Sequence, residues 1–164
     1  MRAEHRGTEL RSIHFFALLV AVLVFAALSL TFVVSARATT GAYKVAKVQL
    51  RSTNLGRILV DNAGFTLYAF TKDSRARDNC IHLTGCPGIW PALTSSSTPV
   101  AGSGVNRSLL STIKLGSGKH QVAYNGHPLY RYAFDSAPVQ TFYVGASQFG
   151  GSWYAMNASG RYVK

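Results

Sequence analysis

One segment of this chain occurs twice without a gap. Residues 64–74 read GFTLYAFTKDS and residues 126–136 read GHPLYRYAFDS, an offset of 62. Gly64 matches Gly126, Leu67 matches Leu129, and Ser74 matches Ser136. Within them runs a fixed pattern of tyrosine, aromatic and aspartate: Tyr68, Phe70 and Asp73 in the first copy, Tyr130, Tyr132 and Asp135 in the second. One residue out of that register, Gly88-Ile89-Trp90 matches Gly151-Ser152-Trp153. Self-similarity at a fixed spacing marks a repeated structural unit. The fold must hold two equivalent copies, which gives a small domain pseudo-twofold character.

The local pattern makes each copy a β unit. Residues 58–61 (ILVD) and 65–70 (FTLYAF) are β-rich runs, and Asn62, Ala63 and Gly64 between them form a turn with its glycine where positive φ is needed. In the second run Leu67 and Ala69 face one way, Tyr68 and Phe70 the other. Residues 109–115 and 120–124 are further strands. Asn125-Gly126 after them is a strong hairpin signal, because a type I′ turn takes positive φ at both central residues. Pro128 lacks an N–H and belongs at a strand start or on an edge. Residues 71–88 read as a polar loop with both cysteines, and 94–104 (TSSSTPVAGSG) as a flexible surface loop. The expected fold class is all-β: a small antiparallel sheet domain, sandwich or barrel-like. Its two hairpin-centred pseudo-repeats lie at about 56–93 and 108–157, and one N-terminal hydrophobic helix precedes them.

That helix is expected from residues 15–34, twenty in a row without a charge. As a helix the run is roughly 30 Å long, the thickness of a bilayer's hydrocarbon core. Two readings of 1–38 stand side by side. In one it is a signal peptide cleaved after Ala38, at the A-x-A spacing of Ala36-Arg37-Ala38; in the other it is an uncleaved signal anchor holding the chain in the membrane. No cysteine follows the apolar run closely, so lipid attachment there is not possible. Residues 39–55 read as a tether or a first edge strand, and 56–164 as the β domain.

The stretch 56–157 resembles a bacterial family of secreted repeats and lipoproteins whose hallmark is Y-x-[FWY]-x-x-D. Tyr68-Ala-Phe70-Thr-Lys-Asp73 and Tyr130-Arg-Tyr132-Ala-Phe-Asp135 both fit it. The stretches ILVDNAGFTLYAF, WPAL, QVAYNGHPLY and FGGSWYAM are similar to that family too. The resemblance implies an envelope location and no established enzymatic reaction.

Each candidate site has a structural reading and a chemical one. Cys80 and Cys86 enclose five residues, and in an exported protein such a pair reads as a disulfide. The sharper alternative is a metal or redox site built from Cys80, His82 and Cys86, completed by a distant ligand such as His120 or His127. For the repeated motif, the structural reading stacks Tyr68 and Phe70 on one sheet face and lets Asp73 end the strand in a turn. The chemical reading makes Asp73 and Asp135 the carboxylate pair of a carbohydrate-active enzyme, which needs them roughly 5–10 Å apart. His127 could serve as a general base only with a nucleophile and an orienting acid. No pattern assigns a catalytic residue, a metal ligand set or a cofactor, so the expectation is a non-catalytic binding or scaffolding module of the cell envelope.

Charge narrows the partners. Residues 39–164 carry 13 basic and four acidic side chains, a net charge of +9. Export argues against nucleic acid. Anionic envelope polymers or lipid headgroups are the partners that such a charge suits outside the cytoplasm, with the membrane itself met through residues 15–34 if they are retained.

Overall fold

A computed structural model describes residues 44–116 and 118–164. The segment 1–38, the hydrophobic helix expected there and the first part of the tether lie outside the described residues. Gly41–Lys164 forms a compact unit of its own. Among the described residues the fold is all-β, with strands β1 (Lys47–Thr53), β2 (Gly56–Val60), β3 (Tyr68–Phe70), β4 (Thr94–Ser95), β5 (Val100–Ala101), β6 (Leu110–Lys114), β7 (His120–Tyr124), β8 (His127–Pro128), β9 (Ser147–Gln148), β10 (Gly151–Met156) and β11 (Tyr162–Val163). Helix is confined to α1 (Cys86–Ile89) and two 3-10 turns, and no helix there is long and apolar enough to cross a membrane.

The strands form three small sheets, ordered β2-β1-β5, β11-β10-β3 with β9 on β10, and β4-β7-β6 with β8 on β7. Hairpin β1–β2 of the first copy corresponds to hairpin β6–β7 of the second. The turn after β7 is of the expected kind, with φ of 50° at Asn125 and 80° at Gly126. Gly64 sits at φ 91°.

At the centre the two motif strands meet antiparallel. Tyr68 N–H donates to the Tyr130 carbonyl and Tyr130 N–H to the Tyr68 carbonyl, both at 2.9 Å. Outside this pair the copies exchange segments. The Trp90 segment of copy one runs along the motif strand of copy two, through Arg131 N–H to Pro91 O (3.0 Å) and Ala133 N–H to Ile89 O (2.9 Å). The Trp153 segment of copy two runs along β3 of copy one, pairing Trp153 with Phe70, and Thr71 N–H donates to Ser152 O (2.9 Å).

Alternation divides the core as the sequence implies. Leu67 and Ala69 enter an aliphatic cluster with Val48, Leu59, Val122, Leu129 and Met156. Tyr68 and Phe70 enter an aromatic cluster with Trp90, Tyr130, Tyr132, Trp153 and the cysteines. β3 is therefore buried on both faces.

Two sequence expectations are corrected. The tether placed at 39–55 ends by Lys47, because β1 is a strand paired on both sides and not an edge. The first repeat thus starts before residue 56. The flexible loop at 94–104 contains β4 and β5. Ser95 is buried there, its hydroxyl accepting from Ala46 N–H (3.0 Å) and donating to Ser97 O (2.7 Å), while Val100 and Ala101 pair parallel to β1. Low apolar content hid strands that are held by backbone and hydroxyl hydrogen bonds.

Cys80 and Cys86 form the expected disulfide. At the corresponding positions, 63 residues on, the second copy has Tyr143 and Phe149, and both pack against the aromatic cluster. One copy closes its loop covalently and the other by ring packing. Cys80→Ser and Cys86→Ser should each lower unfolding free energy by a similar amount, on the order of 2 kcal/mol, in urea titrations. Unequal losses would mean that one sulfur has a second role.

Candidate functional site

The repeated motif folds into a reciprocal lock. Tyr130 O–H of copy two donates to Asp73 Oδ2 of copy one at 2.8 Å, and Tyr68 O–H of copy one lies 3.4 Å from Asp135 Oδ2 of copy two. Each aspartate follows its own strand by a turn: Asp73 N–H donates to Phe70 O (3.1 Å) and Asp135 N–H to Tyr132 O (3.3 Å). Asp73 also accepts from Asn79 N–H at 2.8 Å, which ties down the cysteine loop.

The aromatic side chains repeat the exchange. Trp90 and Trp153 stack face to face on each other, with centroids 4.0 Å apart and planes 2° from parallel. Each meets its own copy's tyrosine edge-on, Tyr68–Trp90 at 5.2 Å and Tyr130–Trp153 at 5.1 Å. Each also packs on the other copy's second aromatic, Trp153 on Phe70 at 4.2 Å and Trp90 on Tyr132 at 4.7 Å. Such contacts add roughly 0.5–1.5 kcal/mol apiece beyond area burial.

The loops after the aspartates complete the pattern. Ala76 N–H donates to Gly126 O (2.8 Å), and Val139 N–H to Gly64 O (2.9 Å), so each loop is pinned to the other copy's turn glycine. A Cβ on Gly126 would lie 2.7 Å from Arg75 Cγ, and one on Gly64 would lie 3.1 Å from Pro138 Cβ. Close approach and positive φ together require glycine at both places.

Burial governs the protonation of the lock. Desolvation pushes the Asp73 carboxyl up to about 7, against the hydrogen bonds from Asn79 N–H and Tyr130 O–H that pull it down. Desolvation pushes Asp135 up to about 6, with the Tyr68 hydroxyl opposing. Tyr68 and Tyr130 are raised as well, by burial first and then by the facing carboxylates.

The chemical alternatives find other partners at these positions. Both aspartates face tyrosyl hydroxyls, and two clefts beside the fold, of about 510 and 270 Å³, are lined by residues other than these aspartates. Both sulfurs of the Cys80, His82 and Cys86 set are consumed by the disulfide, and among the described residues no group of three or more His, Cys, Asp or Glu is placed to hold a metal ion. His127 packs on Tyr162, whose hydroxyl lies 3.2 Å from Nδ1.

Sequence reasoning missed Asp61. It is fully buried, accepts from Ala63 N–H (2.8 Å) and Phe65 N–H (3.0 Å), and meets Arg131 of the other copy at 2.5 Å. An aspartate at a strand end before a glycine turn was the available signal. Its partner lies 70 residues away and leaves no local trace.

A family model described as a secreted repeat of unknown function matches the chain twice, over residues 50–94 and 111–157. The matches take in most of β1 and of β6, in keeping with the correspondence of the two hairpins. No curated protein and no solved structure matches the chain.

Raised carboxyl pKa values have a definite sign. The folded state holds protons at Asp73 and Asp135 that the unfolded chain releases near 3.8, so their contribution is full below that value and is lost as pH rises through about 6 and about 7. Unfolding free energy should fall across that window. Asp73→Asn and Asp135→Asn should flatten the fall, since the amide oxygen still accepts from tyrosine but does not titrate. Urea titrations over the pH series test this; a stability that rises through the window contradicts it. Trp90→Ala and Trp153→Ala should each cost about 3–5 kcal/mol in the same assay.

Proposed function

Because this chain belongs to the family of secreted repeats of unknown function, we propose that it is a non-catalytic envelope module that binds anionic polymers or lipid headgroups. Its place is extracytoplasmic, and its partners are what that compartment offers.

One observation carries the reading. Among the described residues no carboxylate side chain is exposed: Asp61 and Asp78 are buried, and Asp73 and Asp135 are half-buried in the lock. Lys44, Lys47, Arg51, Arg57, Lys72, Arg75, Arg77, Arg107, Lys114, Lys119, Arg161 and Lys164 are all exposed. The surface presents cations of one sign without interspersed anions. Solubility alone is served by mixed charge, whereas a single-sign field steers and holds polyanions. The cations are spread over the domain, which suits an extended polymer or a headgroup surface more than one small ligand. Residues 15–34 direct the export and, where they are retained, anchor the domain at the membrane.

The test uses residues 39–164, which contain the compact unit, made in an oxidising compartment. Retention on an anionic matrix should fall steeply as salt shortens the screening length from about 10 Å to about 3 Å. A neutral matrix should not retain the protein. Retention that is indifferent to salt would remove the reading.

A further inference from the structure

The loop after Asp135 differs in chemistry from its counterpart after Asp73. Between residues 71 and 80 the first copy carries Lys72, Arg75 and Arg77; between residues 133 and 142 the second carries Phe134, Val139 and Phe142. Six large hydrophobic residues are exposed among the described ones, and these three share one loop. Phe142 is 80% exposed and Phe134 63%. Scattered apolar residues on a surface need no explanation, but a cluster does.

The exposure is built in. Gln140 Oε1 accepts from Ser136 N–H (2.7 Å) and Ala137 N–H (3.2 Å). Its carbonyl accepts from the Thr66 hydroxyl at 2.5 Å, and Val139 N–H is held by Gly64 O. Asp135, the one charged residue from 133 to 144, faces Tyr68 and not solvent alone. Beside Phe142 a cleft of about 510 Å³ is walled by Leu55, Val139 and Phe142 together with Lys164, a cation next to an apolar tip.

We propose that this loop inserts Phe134 and Phe142 into the interface of an anionic phospholipid bilayer while Lys164 and the cations spread over the domain meet the headgroup phosphates. The inference rests on the anionic-partner reading and specifies its partner. A carbohydrate or teichoic-type polymer satisfies the cations but offers no apolar phase for the two rings. A fluid bilayer satisfies both, and needs no preformed groove to receive them.

The experiment compares residues 39–164 with Phe142→Ser and with Phe134→Ser/Phe142→Ser, after circular dichroism shows each folded. Binding is measured to vesicles of phosphatidylglycerol and phosphatidylcholine in equal parts, to vesicles of phosphatidylcholine alone, and to polyphosphate as a soluble polyanion. The double variant should bind the anionic vesicles roughly tenfold more weakly and polyphosphate unchanged. Phe142→Cys, carrying a polarity-sensitive fluorophore on its thiol, should shift to the blue on the anionic vesicles, both native cysteines being held in the disulfide. Equal vesicle binding by all three proteins, with a fluorophore that stays in water, overturns insertion and leaves the anionic-partner reading standing. Loss of binding to both polyphosphate and vesicles by the wild-type domain overturns both. Concentration-dependent self-association that the double variant abolishes, without an effect on vesicles, assigns the loop to a second copy of the chain and also overturns insertion.

Discussion

Two backbone hydrogen bonds at the pseudo-axis, between Tyr68 and Tyr130, set the terms for the rest of the molecule. They fix the motif strands antiparallel and in register. With that register set, each tyrosine hydroxyl reaches the aspartate of the opposite copy, and each tryptophan segment reaches the opposite strand. The stack of Trp90 on Trp153 follows from the same geometry, because each tryptophan segment runs along the motif strand of the opposite copy. The repeat pattern of tyrosine, aromatic and aspartate is thus one device used twice: the tyrosine and the second aromatic act on the other copy, and the aspartate receives from it.

The sequence made a good part of this legible. Strict alternation in FTLYAF correctly divided Leu67 and Ala69 from Tyr68 and Phe70, because a strand buried on both faces still obeys a period of two. Asn125-Gly126 announced its turn, since few residue pairs tolerate two positive φ values. The gapless offset announced the duplication. What stayed hidden was everything that crosses between copies. Nothing near Asp73 points to Tyr130, nor anything near Asp61 to Arg131, because partners far apart in sequence leave no periodicity. β1 was obscured by its polar composition, KVQLRST, in which only alternate residues face the core. β4 and β5 were obscured further, β4 being held by a short antiparallel pairing with β7 and a buried hydroxyl, and β5 by a pair of parallel backbone partners.

The placement of charge follows from the lock as well. A domain with few carboxylates spends them internally: Asp61 on a turn and Arg131, Asp78 on the Ile81 amide, Asp73 and Asp135 on tyrosines. Internal use of the anions leaves the outside to lysine and arginine. The strongly basic balance of the sequence is thus an understatement of the surface, whose side-chain charge is cationic nearly throughout.

The exchanged tryptophan segments make the fold independent of protein concentration. Neither copy owns a complete aromatic core; each borrows an indole from the other. As two separate chains the halves would meet only as a dimer, and that dimer would thin out with dilution. Joined through the residues between Leu93 and Leu110, they meet at an effective concentration in the millimolar range, whatever the concentration outside. Duplication within one chain makes the fold indifferent to the protein's own concentration outside the cytoplasm.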